Sequence, residues 1–253
     1  MSERRGALIA PAGSYVGPEL ARLLARRNYD LVLASPASGL ADELRGLGGA
    51  VEVVGPEDDG APTMGSFGPE IGAQMVEAAT KRFGTFHSVF FSSGRIALGK
   101  FLRTSVEDLR GAFQGNVELP FHFLQAVLPP LVAQADGQVL VATSATALRP
   151  TTSASLYAAT RSAATIMLQS AALEIASSGV QVNVVGTNFM DFPEFLRGNR
   201  VETPEDRARI ESLVPMKRLG TMSEFAAFCT TFLDGSSRFA TGQFFPYAGG
   251  WAT

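Results

Sequence analysis

Short apolar runs alternate with longer amphipathic stretches along the whole chain. Seven of these runs have the length and residue types of buried strands, and they span 7–10, 31–34, 51–54, 88–91, 139–142, 182–185 and 243–245. Parallel strands need a crossover connection, and the intervening amphipathic stretches are long enough to provide it as helices. The pattern predicts an α/β fold in a single domain over 1–253, a doubly wound parallel sheet of seven strands with helices on both faces.

Several helix boundaries are marked by residues that favour helix ends. Pro18 follows Gly17, and the missing N–H of a proline is harmless in the first turn of a helix. Ser105 followed by Asp108 predicts a helix that begins with a capping arrangement. Pro120 is expected to kink or divide the long helical stretch in which it lies.

Two stretches depart from the alternation. Residues 55–67 are polar and contain several glycines and prolines, which is typical of a surface loop. Residues 187–203 form a long segment after the sixth strand, before a helix that Thr203 opens. Long segments at the carboxyl ends of strands often form pockets and lids in this architecture, so a lid is predicted at about 187–214.

Composition narrows the choice of partners. The net charge of −3 provides no cationic surplus for nucleic acid or for an anionic membrane surface. Cys229 is the single cysteine, and His87 and His122 are the only histidines. The chain therefore lacks the residues for a disulfide framework or a structural zinc site. The apolar run that ends before Pro11 is too short for a signal peptide or a membrane span, so a cytoplasmic location is expected.

Ser144, Tyr157 and Arg161 form the most informative combination of polar residues. Ser144 follows the fifth strand, while Tyr157 and Arg161 are four positions apart and share one face at the start of the next helix. A phenol is a poor base, but a fixed guanidinium one turn away favours its phenolate form. The three residues predict a site in which Tyr157 is a general acid or base and Ser144 holds the substrate oxygen.

At this point the chain resembles the short-chain dehydrogenase/reductase superfamily, which has a Rossmann-like fold. The matching positions are Asn116, Ser144 thirteen positions before Tyr157, Val182-Asn183, Arg218-Leu219-Gly220, Gly242-Gln243 and Gly249-Gly250. The superfamily's Tyr-x-x-x-Lys is here Tyr157-x-x-x-Arg161, and the replaced lysine normally also binds the nicotinamide ribose. Arginine keeps the positive charge, but its planar fork has a different shape and does not titrate.

The motifs that contact the cofactor in that superfamily are altered in this chain. The cofactor loop reads T-G-x-x-x-G-x-G in the superfamily, whereas residues 10–17 read Ala-Pro-Ala-Gly-Ser-Tyr-Val-Gly. Pro11 takes the tight-turn position, and Tyr15 places a large ring where the backbone should approach a pyrophosphate. The second strand ends at Ala34-Ser35, without the acidic residue that would hold a ribose hydroxyl.

This combination resembles the halohydrin dehalogenases, which share the fold and have a Ser-Tyr-Arg triad and no nucleotide. The resemblance implies a carbon–halogen lyase that converts vicinal haloalcohols to epoxides plus halide, and that opens epoxides with anions such as azide, cyanide or nitrite. Ser144, Tyr157 and Arg161 would be catalytic, with no NAD(P) and no metal, and a halide would bind in place of the nicotinamide. The implied halide-binding residues are Gly13, Tyr15, Thr187, Asn188, Phe189 and Met190, and the implied pocket residues are Thr146, Ala147 and Phe192.

Two other functions remain open. One is an atypical NAD(P)-dependent short-chain oxidoreductase that tolerates the altered loop, and the other is a non-catalytic member of the fold. The resemblance also implies a homotetramer, with the long helices that begin near Ser105 and Tyr157 forming one interface. Many residues between Thr146 and Ser155 are small, which predicts a roomy substrate site.

Overall fold

A seven-stranded parallel sheet forms the centre of the protein. The computed structural model describes residues 4–57, 67–92 and 94–252. The strands of this sheet are β1 (Arg5–Ala10), β2 (Tyr29–Ala34), β3 (Val51–Val54), β4 (Ser88–Ser92), β5 (Gly137–Ser144), β6 (Val180–Thr187) and β9 (Phe244–Tyr247). Their order is β3-β2-β1-β4-β5-β6-β9, and every neighbouring pair is parallel. The predicted fold class is therefore confirmed. Among the seven predicted strands only the last is shifted, and it begins one residue after its predicted start.

Helices cover both faces of the sheet, as predicted. They are α1 (Gly17–Arg26), α2 (Leu40–Arg45), α3 (Ile71–Phe83), α4 (Val106–Phe113), α5 (Leu119–Gln134), α6 (Ser155–Glu174), α7 (Pro193–Gly198), α8 (Pro204–Ser212) and α9 (Met222–Leu233). Apolar residues of α1, α2 and α9 pack on one face, and apolar residues of α3, α5 and α6 pack on the other. The alternating side chains of the central strands divide between these two cores, so the strands are buried on both sides.

The predicted helix boundaries lie close to the observed ones. Pro18 is in the first turn of α1, and Ser105 and Asp108 form a capping box at the start of α4. The long helical stretch is divided by a π-helical turn at Gln114–Glu118, and Pro120 lies in the first turn of α5 that follows. The wider hydrogen-bond spacing of the π-helical turn directly before Pro120 accommodates a residue that lacks an N–H.

The lid segment contains more regular structure than a loop. Strand β7 (Met190–Asp191) pairs in parallel with β8 (Gly220–Thr221), and α7 and α8 lie between them in the chain. Phe189, Ile210 and Trp251 belong to a small separate apolar core under this segment. Residues 58–66 of the predicted surface loop lie outside the described residues. No helix in the described part of the chain has the length and apolar composition to cross a membrane.

Candidate active site

The candidate site lies at the carboxyl ends of the central strands. The strand order reverses between β1 and β4, and folds of this kind bind ligands in the crevice outside the carboxyl ends at that point. A cavity of about 490 Å³ opens there, between the ends of β4, β5 and β6 and the lid segment. Four polar residues at strand ends line it, namely Ser92, Thr143, Ser144 and Thr187.

Ser144 is the last residue of β5, and it is buried. Its Oγ accepts hydrogen bonds from the backbone N–H of Thr146 at 3.2 Å and from the Thr146 hydroxyl at 2.9 Å. The same hydroxyl donates toward the carbonyl oxygen of Thr187 at 3.5 Å, which is long for a bond between oxygens. Because that bond is weak, the Ser144 proton can be redirected to a substrate oxygen in the cavity at little cost.

Tyr157 and Arg161 lie one turn apart near the start of α6. The guanidinium carbon of Arg161 is 5.2 Å from the centroid of the Tyr157 ring, within the range of a cation–π interaction. Tyr157 is half-buried, whereas Arg161 is only 2% exposed. The helix therefore places a desolvated positive charge directly against the phenol that faces the cavity.

Arg161 packs against the backbone of Gly94, in the loop after β4. Gly94 has a φ of 151°, and a Cβ added to it would lie 1.7 Å from Nη2 of Arg161. Nε and Nη1 of Arg161 are buried and have no hydrogen-bond partner among the described residues. Unpaired buried donors are costly, so a polar group or a water that reached them would be bound favourably. Arg161 also lines the cavity, although Nε and Nη1 themselves are closed to solvent.

Asn116 joins three elements around this arginine. It lies in the π-helical turn, where its Oδ1 accepts from the Arg95 N–H at 2.8 Å and its Nδ2 donates to the Arg95 carbonyl at 3.0 Å. Nδ2 also donates to Oγ1 of Thr160 at 2.8 Å. Asn116 is completely buried and does not line the cavity. It is thus a positioning residue, which connects the loop after β4 to the turn of α6 that bears Arg161.

Tyr15 reaches the site from the loop between β1 and α1. Its phenol oxygen lies 2.5 Å from Oγ1 of Thr187, the last residue of β6. Its ring packs against Phe192 and Phe225, with centroid distances of 5.1 and 5.5 Å. Burial raises the pKa of the Tyr15 phenol, and the hydrogen bond to Thr187 lowers it by less, so Tyr15 stays neutral. Tyr15 is therefore a hydrogen-bonding and packing group of the site.

The residues after β6 form the far wall of the cavity. The side chain of Asn188 accepts from the N–H of Phe189 at 2.9 Å, which stabilises the left-handed backbone of Phe189 at a φ of 55°. The Phe189 ring packs edge-on against Trp251 at 5.5 Å, and Met190 is buried in β7. Phe189 thus contributes mainly to the core under the lid, and Met190 belongs to the core that α1, α2 and α9 form on the sheet. Phe192 is half-buried beside Tyr15.

The cavity brings together ten of the twelve residues that the sequence singled out. These are Tyr15, Ser144, Thr146, Tyr157, Arg161, Thr187, Asn188, Phe189, Met190 and Phe192. Gly13 and Ala147 do not line this cavity. Gly13 has no side chain to extend into it, and the loop presents Tyr15 instead. Ala147 ends a short 3-10 turn, and its carbonyl oxygen is bonded to the Ser162 hydroxyl of α6 at 3.0 Å.

Several lining residues have no recognisable signal in the sequence. Ile96, Leu98 and Leu213 belong to the wall of the cavity although Leu213 lies far from the other two in the chain. Gly94 follows the fourth strand in the sequence. The guanidinium of Arg161 explains why this position has no side chain, and only the folded chain brings the two residues together. The sequence therefore identified the polar centre of the site and missed much of its apolar wall.

Comparisons with known proteins identify relatives of this chain. Residues 66–252 match a family described as Enoyl-(Acyl carrier protein) reductase. The chain is 26% identical over 250 residues to 2,5-dichloro-2,5-cyclohexadiene-1,4-diol dehydrogenase of Sphingobium indicum, covering 97% of this chain and 95% of the relative. It is 28% identical over 247 residues to cyclohexanol dehydrogenase of an Acinetobacter species, covering 94% and 90%. The solved structure of an NAD+-bound xylitol dehydrogenase has a TM-score of 0.84 and 20% identity, covering 99% and 100%.

These findings contradict the function that the altered motifs implied. The relatives are named dehydrogenases, so the expected halohydrin dehalogenase and its carbon–halogen lyase activity are wrong. The expectation of no NAD(P), with a halide in place of the nicotinamide, is contradicted by the same names, because a dehydrogenase needs an acceptor for the two electrons that it removes. The comparisons support instead the alternative of a short-chain oxidoreductase.

A nicotinamide dinucleotide fits the residues at the switch point only in part. Gly17 is compatible with a bound dinucleotide. A Cβ at this position would lie 2.2 Å from the Pro11 carbonyl oxygen, so the start of α1 can approach the loop closely only because Gly17 has no side chain. Tyr15 does not suit it, because its ring and its hydrogen bond to Thr187 lie across the carboxyl ends of the strands from β1 to β6, where a dinucleotide would pass. With Tyr15 in this position, the residues present do not fit a dinucleotide that extends to Ser144 and Tyr157.

Proposed function

We propose that this chain, which belongs to the short-chain dehydrogenase/reductase superfamily, is an oxidoreductase that interconverts an alcohol and its carbonyl compound. The observation that carries the proposal is the convergence of Ser144, Tyr157 and Arg161 on one cavity at the carboxyl edge of the sheet. The names of the relatives support the same class of reaction, because both describe the dehydrogenation of a hydroxylated six-membered ring.

The proton transfer follows from the positions of the two hydroxyl groups. In the oxidative direction the Tyr157 oxygen, as phenolate, accepts the proton of the substrate alcohol. In the reductive direction the Tyr157 hydroxyl returns that proton to the oxygen of the product. The Ser144 hydroxyl, whose bond to Thr187 is long, donates to the same oxygen and holds it while its charge changes. A separate component must accept the two electrons of the oxidation, and in this superfamily that component is a nicotinamide.

Arg161 supports the proton transfer through its charge. The guanidinium lies against the Tyr157 ring and offsets the negative charge that the phenol oxygen bears when it has lost its proton. Arg161 thus acts by orienting and stabilising, and it transfers no proton.

The shape of the cavity supports an alicyclic alcohol as substrate. Apolar residues from several elements form its outer wall, and these are Ile96, Leu98, Phe192, Phe195, Leu213 and Trp251. The hydroxyl groups of Ser144 and Tyr157 line the same cavity. A ring of six carbons with one secondary hydroxyl would place its apolar body against the wall and its oxygen at the hydroxyls. The roomy site predicted from the small residues agrees with a cavity of about 490 Å³.

The test of this proposal is turnover of cyclohexanol with NAD+ or NADP+, followed by the absorbance of the reduced nicotinamide. Tyr157→Phe should abolish the reaction, and Ser144→Ala should reduce it strongly, because both remove a group that touches the substrate oxygen. Tyr247→Phe is the matched control, since Tyr247 lies on β9 and does not line this cavity. Absence of turnover with a series of alicyclic alcohols and ketones, in both directions, would reject the proposal.

A homotetramer and a cytoplasmic location remain proposals. Large apolar side chains are exposed on α4, α5 and α6, namely Phe113, Phe121, Ile166 and Leu173. Exposed apolar patches on a surface of this kind are typical of a subunit interface. Static light scattering of the purified chain measures the mass directly, and a monomer would contradict the tetramer.

A further inference from the structure

Tyr15 occupies an unusual position for a large side chain. Its φ is 54°, in the left-handed region that glycine adopts readily and bulky residues rarely do. Such a conformation persists only where surrounding contacts stabilise it, and such residues often lie at functional sites. Here the contacts are the bond to Thr187 and the packing on Phe192 and Phe225.

The bond between Tyr15 and Thr187 spans the central part of the sheet. Tyr15 follows β1, Thr187 ends β6, and the strands β4 and β5 lie between them in the sheet. Three strand spacings separate β1 from β6, which corresponds to about 14 Å. The loop and the Tyr15 ring together cover this distance, past the ends of the strands whose residues line the cavity. The bridge therefore lies across the crevice in which this fold binds its ligands.

We infer that Tyr15 is a specificity-determining residue that limits the binding of a nicotinamide dinucleotide, and that its bond to Thr187 must break for the nicotinamide to reach Ser144 and Tyr157. The inference rests on the proposed function, because that function requires such a cofactor. It also accounts for the poor fit of the residues at the switch point. The inferred barrier consists of one side chain and one hydrogen bond.

Because the φ of Tyr15 is positive, glycine can replace this residue without a change in backbone conformation. Tyr15→Gly removes the ring and the hydroxyl at a position where the backbone already has a conformation that suits glycine. Tyr15→Phe removes only the hydroxyl, and Thr187→Val removes its partner from the β6 side while leaving the Tyr15 ring in the chain. Together the three variants separate the contribution of the ring from that of the hydrogen bond.

The experiment is a titration of each protein with NADH and with NADPH, followed by the fluorescence of the reduced nicotinamide and by the shift in unfolding temperature. Tyr15→Gly should bind at least tenfold more tightly than the unmodified chain, and Tyr15→Phe and Thr187→Val should lie between the two. Equal or weaker binding by Tyr15→Gly would overturn the inference. If that variant fails to fold, equal or weaker binding by both of the other variants would overturn it.

The outcomes also separate this inference from the proposed function. Tight binding by the unmodified chain with no gain in any variant would refute the role of Tyr15 and leave the oxidoreductase in place. Tighter binding by Tyr15→Gly without oxidation of any alcohol would support the role of Tyr15 and reject the proposed function. No binding by any of the four proteins would overturn both.

Discussion

The guanidinium carbon of Arg161 lies 5.2 Å from the centroid of the Tyr157 ring, and the same guanidinium packs against the backbone of Gly94. One buried arginine thus contacts the phenol of the candidate site and the loop after β4. The arrangement depends on a residue without a side chain at Gly94 and on the amide of Asn116, which binds the backbone of Arg95. Changes at any of these positions should therefore alter the candidate site.

Removal of the charge at Arg161 should reduce alcohol turnover more than a change of its shape. Arg161→Met leaves the developing charge on Tyr157 without a partner, and we expect a loss of about 100-fold in kcat/KM. Arg161→Lys keeps a positive charge but not the planar fork, so it should retain more activity than Arg161→Met. Steady-state kinetics of both variants with cyclohexanol measure the difference. Equal losses would show that the shape of the guanidinium, and not its charge, is required.

A side chain at Gly94 should displace Arg161. The added Cβ of Gly94→Ala would lie 1.7 Å from Nη2 of Arg161 and 2.6 Å from Oδ1 of Asn116. We expect the free energy of unfolding to fall by about 1–3 kcal/mol through overpacking, together with a loss of activity. Gly84→Ala is the control, because Gly84 also has a positive φ but its Cβ would meet nothing within 4 Å. Denaturant unfolding should show a larger loss for Gly94→Ala, and equal losses would contradict the steric account.

Asn116 should matter for stability as well as for activity. Asn116→Ala would remove a fully buried amide that bonds to the backbone of Arg95 and to the buried hydroxyl of Thr160, at a cost of about 1–3 kcal/mol. Gln114→Ala, in the same π-helical turn but exposed, should cost much less. Urea unfolding of the two variants provides the comparison. A loss at Asn116 no greater than that at Gln114 would show that these hydrogen bonds do not hold the loop.

Glu224 should make stability depend on pH in the acid range. Its hydrogen bond to Arg218 and its bonds to Thr221 lower its pKa from 4.5 to about 2. Because the folded-state pKa is depressed, the stabilising contribution of the carboxylate is complete above about pH 4.5 and is lost as the pH falls toward about 2. The difference in melting temperature between the unmodified chain and Glu224→Gln should therefore shrink over that window. A difference that is constant with pH would rule out this ion pair as its source.

The strands and caps were predictable because their signals are local. The apolar runs of β1 to β6, the capping residue Ser105 and the proline after Gly17 each act within a few positions of the chain. The spacing of Ser144, Tyr157 and Arg161 was informative for the same reason, since a strand end and a helix start bring them to one edge. Local patterns therefore predicted the architecture and the polar centre of the site.

The contacts between distant residues were not predictable. Tyr15 and Thr187 are 172 positions apart, and nothing in either local sequence indicates the hydrogen bond that joins them. The contact of Gly94 with Arg161 likewise depends on how α6 approaches the loop after β4. The functional expectation failed for a related reason. The altered motifs occupy only a few loop positions, whereas 97% and 94% of the chain align with two proteins named dehydrogenases.

The most direct test of the proposed activity is the oxidation of cyclohexanol by the purified chain with NAD+ and with NADP+, measured beside Tyr157→Phe. We predict that one of the nucleotides is reduced in proportion to the ketone formed, and that Tyr157→Phe abolishes this reduction. Failure of both nucleotides to be reduced, together with release of halide from a vicinal haloalcohol in the absence of any nucleotide, would contradict the assignment of an oxidoreductase.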